Sequence, residues 1–147
     1  MGSCAEALML VLLDSNVIIS AMLVPHGTPA RIVDQWRNGG FQLLTCQEQI
    51  DEIRTACRTP KFRFRLQPHH VGSMLNHLYN AIVWPGSLPR RLHAADPTDS
   101  YLLDLIEAAQ PDYAVTGDKR SGLLQLDKLG RTKILSATTF ASQILHL

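Results

Sequence analysis

The hydrophobic positions of this chain fall into short unbroken runs, separated by stretches with a helical period. Residues 8–13, "LMLVLL", form a continuous apolar run of strand length, the pattern of a strand buried on both faces. Asp14 ends the run. "NVIISAML" (16–23) then predicts the first turns of a helix, with Asp14 or Ser15 as N-cap. Thr28 and Pro29 open a second helix whose Ile32, Val33 and Trp36 share a face, and Gly39-Gly40 stop it. "FQLLT" (41–45) predicts a second strand. "QEQIDEIRTACR" follows as an amphipathic helix with Ile50, Ile53 and Cys57 on one side, ended by Pro60. Residues 67–80 predict a helix weakened by Gly72, residues 81–84 a short strand, and "PGSLPRRLHAADP" a loop. A helical stripe of Tyr101, Leu102, Leu105 and Ala109 marks residues 98–110. A strand over 112–117, a short helix in "SGLLQL", a strand over 132–136 and a final helix in "TTFASQILHL" complete the pattern.

Strands alternating with helices argue a single α/β domain. A central parallel sheet of four to five strands is flanked by helices on both faces, over residues 8–147 after a tail of residues 1–7. Such sheets collect functional groups at the carboxyl ends of their strands, near the topological switch point. That rule gives the acids a place. Asp14 follows the first strand, Glu52 lies on the helix after the second, Asp96 and Asp99 sit in a loop entering a helix, and Asp118 follows "YAVTG". A single aspartate after a strand is more often a helix cap than a ligand. Several carboxylates meeting without partners, however, repel one another and raise their pKa values. Three or four anionic oxygens are what a hard divalent cation needs, and magnesium and manganese prefer that ligation. One or two such ions activate water and stabilise a phosphodiester transition state.

Composition changes this picture little. Hydrophobic residues at 46% and charged residues at 18% fit a soluble globular domain. A net charge of +1 neither suggests nor excludes a nucleic-acid partner, because opposite patches can coexist. Cys4, Cys46 and Cys57 lack CxxC spacing and fit small buried hydrophobes in a reducing cytosol. The run from Ala7 to Leu13 is too short for a membrane span and no basic region precedes it, so neither a membrane anchor nor a signal peptide is expected. His69, His70 and His77 lack the i, i+4 spacing of a helical metal pair and read as surface or helix-face groups.

The stretches "LLDSNVIISAM", "EQIDEIRTACRTPKFR", "ADPTDSYLLDLIEAAQPDYAVTGDKRSGLLQL" and "TKILSATTF" resemble the PIN-domain family of metal-dependent ribonucleases. The resemblance runs from about Leu10 to Leu145 and is most specific in "DPTD…VTGDKR". Its nearest branch is the prokaryotic VapC-like toxins of toxin–antitoxin pairs. The resemblance implies four site acids, matching Asp14, Glu52, Asp99 and Asp118, as ligands for Mg2+ or Mn2+. Asp51 and Glu48 compete with Glu52 for the helix position, which is given to Glu52 because the motif's acid precedes an apolar residue, here Ile53. Asp96 stands close enough to Asp99 to assist it or to substitute for it. Relatives often carry another acid directly after Asp99, where this chain has Ser100, so one ion or two stays open. Asn16 and Thr116 match polar groups that orient ligands or the attacking water. The resemblance also implies hydrolysis of single-stranded RNA, a cytoplasmic location, a small antitoxin partner and a homodimer.

An acidic site repels RNA, so cations must grip the backbone nearby. Lys119 and Arg120 directly follow Asp118, and Arg90 and Arg91 precede Asp96. "KFRFR" interleaves Lys61, Arg63 and Arg65 with Phe62 and Phe64, which suits phosphate contact with a Phe stacked on a base. It equally suits an amphipathic turn with Phe inward and Arg solvated. The rival in another class is a catalytically inactive PIN-like module that binds RNA or a protein partner. An aspartate-nucleophile phosphatase needs a second Asp at position 16, where Asn stands, and a receiver domain needs a lysine after its last strand, where Lys133 lies inside it.

Overall fold

Four strands of four or five residues, with side chains alternating between the two faces of the sheet, set the architecture. The computed structural model describes residues 8–86, 88, 100–117 and 126–147. In chain order the elements are β1 (Leu10–Leu13), α1 (Ser15–Leu23), α2 (Thr28–Arg37), β2 (Gln42–Thr45), α3 (Gln47–Arg58), α4 (Pro60–Arg63), α5 (Pro68–Tyr79) and β3 (Ile82–Val83). They continue with α6 (Ser100–Ala109), β4 (Tyr113–Thr116), β5 (Lys128–Leu129), β6 (Thr132–Ser136) and α7 (Ala137–Thr139), which runs into a π-helical turn at Phe140–Ile144.

The six strands form one sheet in the order β3-β2-β1-β4-β6-β5, parallel except for β5. β1 is central, with Leu12 opposite Leu44 on one side and Ala114 on the other. Its side chains alternate between two cores. Val11 and Leu13 pack with Ile18, Ile32, Ile50, Ile53 and Phe140 on one face of the sheet. Leu12 packs with Leu44, Leu102, Leu105, Ile106 and Ile134 on the other. That two-sided burial is why the strand is an unbroken apolar run. The chain steps outward from β1 to β2 and β3, then returns to β4 on the other side of β1. The topological switch point therefore lies between β1 and β4, and a crevice at their carboxyl ends follows from it.

Four elements depart from the sequence pattern. The hairpin strand β5 is too short to leave a periodic signal, and its turn is shaped by Gly130 at φ +60°. A Cβ there would collide with the Gln110 side chain, whose Oε1 accepts from the Arg131 backbone N–H at 2.8 Å. The final helix shrinks to one α turn, capped by Ser136 Oγ, and the π turn. There Phe140, wholly buried, meets Phe41 edge-on at 5.7 Å and Tyr113 at 5.7 Å, so packing rather than helix propensity holds the backbone. α4 is a single turn that the sequence pattern does not mark, and α2 begins with Gly27, not Thr28, at its N-cap. The short helix expected in "SGLLQL" lies largely outside the described residues, as does the tail of residues 1–7. Cys46 and Cys57 are buried and free, as their small apolar character suggests. Among the described residues no helix is long and apolar enough to cross a membrane.

Candidate active site

Asp14 is the first residue beyond β1, and its backbone N–H donates to Val115 O of β4 at 2.8 Å. Its carboxylate divides between two partners. Oδ1 accepts from the Asn16 backbone N–H at 3.2 Å, which caps α1, and Oδ2 accepts from Thr116 Oγ1, at the end of β4, at 3.1 Å. The cap expected of a lone aspartate is thus present, and it uses one oxygen only. The Asn16 side chain is exposed, so its described contact with Asp14 is through its backbone.

Glu52 reaches the same edge from the second turn of α3. Its Oε1 accepts from Ser15 Oγ at 2.5 Å and from the Tyr101 hydroxyl, and the two hydroxyl oxygens stand 3.0 Å apart. Ser15 opens α1 on one face of the sheet and Tyr101 lies in the first turn of α6 on the other. The carboxylate therefore bridges helices from both layers. α3 is itself anchored by Gln49, wholly buried, whose Nε2 donates to Leu13 O at 2.6 Å while its Oε1 accepts from Thr45 Oγ1 at 2.6 Å. The other two acids of the helix point elsewhere. Asp51 pairs with Arg54 at 3.2 Å and accepts from Gln47, and Glu48 lines an outer depression with Val83 and Trp84.

Burial raises the Asp14 pKa above its ordinary value, and the Glu52 charge adds to the rise; the Asn16 and Thr116 hydrogen bonds oppose it. Burial, together with the bond to Glu52, also holds the Tyr101 phenol protonated and hence a donor. Among the described residues neither carboxylate has a cationic partner, and Glu52 Oε2 receives no hydrogen bond. Two adjoining carboxylates with oxygen donors only fit a hard divalent cation. No group of three or more His, Cys, Asp or Glu side chains gathers among the described residues. Asp96, Asp99, Asp118, Lys119 and Arg120, with Arg90 and Arg91, lie outside them.

Ser15 and Tyr101 are the partners that the sequence pattern leaves hidden. Ser15 reads as a helix cap and Tyr101 as part of an apolar stripe. The available signal was the phenol itself, since a half-buried tyrosine hydroxyl needs a partner. Asp104, three residues beyond Tyr101, is also buried and engaged in an interaction of its own. In "KFRFR" the two aromatic rings separate. Phe62 packs against the larger core, whereas Phe64 is 80% exposed, and Lys61, Arg63 and Arg65 are all exposed.

Fold and site together define an α/β domain with a carboxylate pair at the switch point of a mainly parallel sheet. The chain belongs to the PIN-domain family, whose PIN domain matches residues 10–120. PIN domains are generally nucleases and commonly use divalent metals, which places this protein among nucleic-acid hydrolases. No curated protein and no solved structure matches the chain.

Proposed function

We propose that this protein is a metal-dependent endoribonuclease that hydrolyses phosphodiesters of single-stranded RNA, acting as the toxin of a toxin–antitoxin pair. The observation that carries the reading is the Asp14–Glu52 pair, held at the β1/β4 edge without a described cation. Asp99 and Asp118 complete the acidic set in this reading, with Asp96 beside it. These carboxylates would hold one or two Mg2+ or Mn2+ ions, which would supply a water of lowered pKa and positive charge against the phosphate. The chain's own residues set the geometry. Thr116 fixes one Asp14 oxygen, and the Asn16 N–H fixes the other. Ser15 and Tyr101 occupy Glu52 Oε1, leaving Oε2 to hold a ligand or an attacking water. Lys119 and Arg120 grip phosphates beside this centre, and Lys61, Arg63 and Arg65 hold the RNA backbone elsewhere on the surface. A small antitoxin as partner and a homodimer belong to the same reading.

The test is cleavage of single-stranded RNA by metal-stripped protein, with Mg2+ or Mn2+ added back. Cutting is expected only with metal, and Asp14→Asn and Glu52→Gln are expected to abolish it while the protein stays folded. Undiminished cutting by both variants in EDTA overturns the mechanism. RNA binding without turnover in any metal identifies an inactive binding module instead. Growth arrest on expression, relieved by Asp14→Asn, is expected of a toxin.

A further inference from the structure

Charge is segregated along this nearly neutral chain. Residues 53–95 contain no aspartate or glutamate, yet they hold seven of the 14 Lys and Arg residues. The described part of that stretch folds into the end of α3, α4 and α5, which enclose an open groove of about 550 Å³. Arg54, Arg58 and Arg63 rim it, over apolar side chains that include Leu66, Val71 and Leu75. Among the described residues Arg58, Lys61, Arg63 and Arg65 form no ion pair, while Arg54 is held by Asp51 and Tyr79. Phe64 is 80% exposed, and the guanidinium of the rim residue Arg63 stands 5.3 Å from its ring centroid.

The groove is not the carboxylate centre. Arg54 and Arg58 lie about 200° and 240° around α3 from Glu52, on the opposite side of the helix. Contacts agree: Glu52 meets Ser15 and Tyr101, whereas Arg54 meets Tyr79 on α5. Unpaired cations beside an apolar floor suit a polyanion that also carries flat apolar groups. A protein hot spot is a packed, desolvated pocket. Phe64 is instead a single ring in solvent with the Arg63 guanidinium against it, the arrangement on which one nucleobase stacks while cations follow the backbone.

We infer that the α3–α4–α5 groove and Phe64 form a second RNA-binding site, on the other side of α3 from the cutting centre, that holds single-stranded RNA by phosphate contacts from Arg58 and Arg63 and by one base stacked on Phe64. This rests on the reading of RNA as substrate and adds where a strand is held outside the acidic edge. A substrate long enough to reach both sites then binds more tightly than one that spans only the edge.

The experiment is fluorescence anisotropy of a labelled single-stranded RNA of about 12 nucleotides, with the full chain, in EDTA across a salt series. No cleavage is needed, so a protein that fails as a nuclease still answers. Phe64→Ala is expected to weaken binding about tenfold, the size of one lost base stack. Phe64→Trp restores affinity, and its added fluorescence is quenched by RNA. Replacing Arg58 and Arg63 together by alanine flattens the slope of log K against log salt by about 1.4, the loss of two phosphate contacts. Gly72→Glu puts a carboxylate into the groove, where a Cβ meets nothing within 4 Å, and weakens binding with no native contact removed. Wild-type affinity in both Phe64→Ala and Gly72→Glu overturns the inference. So does capture of an acidic peptide by a groove that ignores RNA, which makes it a protein-docking surface.

Discussion

Helix α3 carries the two halves of this molecule on its two sides. Toward α1 and α6 it presents Glu52, locked by two hydroxyls, with Gln49 pinning the helix to the end of β1. Toward α5 and solvent it presents Arg54 and Arg58, beside a groove whose cations are mostly solvated. The first side is built from buried and half-buried polar groups tied by hydrogen bonds, which fix geometry because an unmade bond there is expensive. The second is built from long exposed side chains that adapt to a flexible strand. A hydrolytic centre needs its ligands preorganised, whereas a backbone grip needs positive charge more than position. On the proposed function, the difference between the sides is one between chemistry and tethering, made on twelve residues of one helix.

The comparison is broken most directly at its acidic side. Asp14→Asn is expected to lower metal-dependent RNA cleavage about a thousandfold, more than the roughly 10–100-fold typical of residues that only support a ligand. The measurement is single-turnover cleavage at saturating metal. A loss of tenfold or less makes Asp14 a helix cap and nothing more. Next in size is Gln49→Ala, which removes the buried side-chain bonds to Leu13 O and from Thr45 Oγ1 and is expected to cost about 3 kcal/mol in urea unfolding. Arg58→Ala, on the solvated side, is expected to change stability by no more than about 0.5 kcal/mol. Equal losses in these two variants erase the contrast between the sides.

Tyr101→Phe sharpens it. The ring and its packing stay, and only the hydroxyl on Glu52 Oε1 is removed. Activity is expected to fall about 10–100-fold with weaker metal binding, because Ser15 alone then holds the carboxylate. Isothermal titration with Mn2+ separates this positioning role from a merely structural one, which leaves the metal affinity untouched.

Much of this was readable beforehand, for definite reasons. β1 reads as a buried strand because both its faces are apolar, and Asp14 is conspicuous because it interrupts that run. Glu52 could be separated from Asp51 only by its neighbour Ile53, since periodicity alone lets a small helix rotation exchange them; the structure turns Asp51 to solvent beside Arg54. The fate of the two rings in "KFRFR" depended on an unmarked helical turn. Positions two apart share a face in a strand but stand about 200° apart in a helix, so α4 sends Phe62 inward and Phe64 outward. Ser15 and Tyr101 were hidden because their roles arise between α1, α3 and α6, elements 37 and 86 residues apart along the chain. Long-range hydrogen bonds of that kind leave no local pattern.

The smallest effect concerns stability and distinguishes a functional acid from a structural one. Asp14 has a folded-state pKa above its ordinary value, chiefly from burial. A carboxyl raised in this way favours the folded state most when protonated. Its contribution is complete below the unfolded pKa and is lost as pH rises through the folded one. At neutral pH the metal-free protein therefore carries an ionised Asp14 at a cost, next to Glu52. Asp14→Asn removes that cost while asparagine still caps α1 as well as aspartate does. The variant is expected to be more stable than the parent at pH 7 in EDTA, with a gain that shrinks as pH falls toward 4. Each kcal/mol moves Tm by roughly 2–4 °C in a chain of this size, so a rise of a few degrees is the expected reading. Mn2+ should raise the parent's Tm and leave the variant's unchanged, since a cation bound by the carboxylates stabilises only the protein that keeps them. A variant less stable than the parent at every pH, with no metal response in either, would mark Asp14 as a cap whose charge the fold needs.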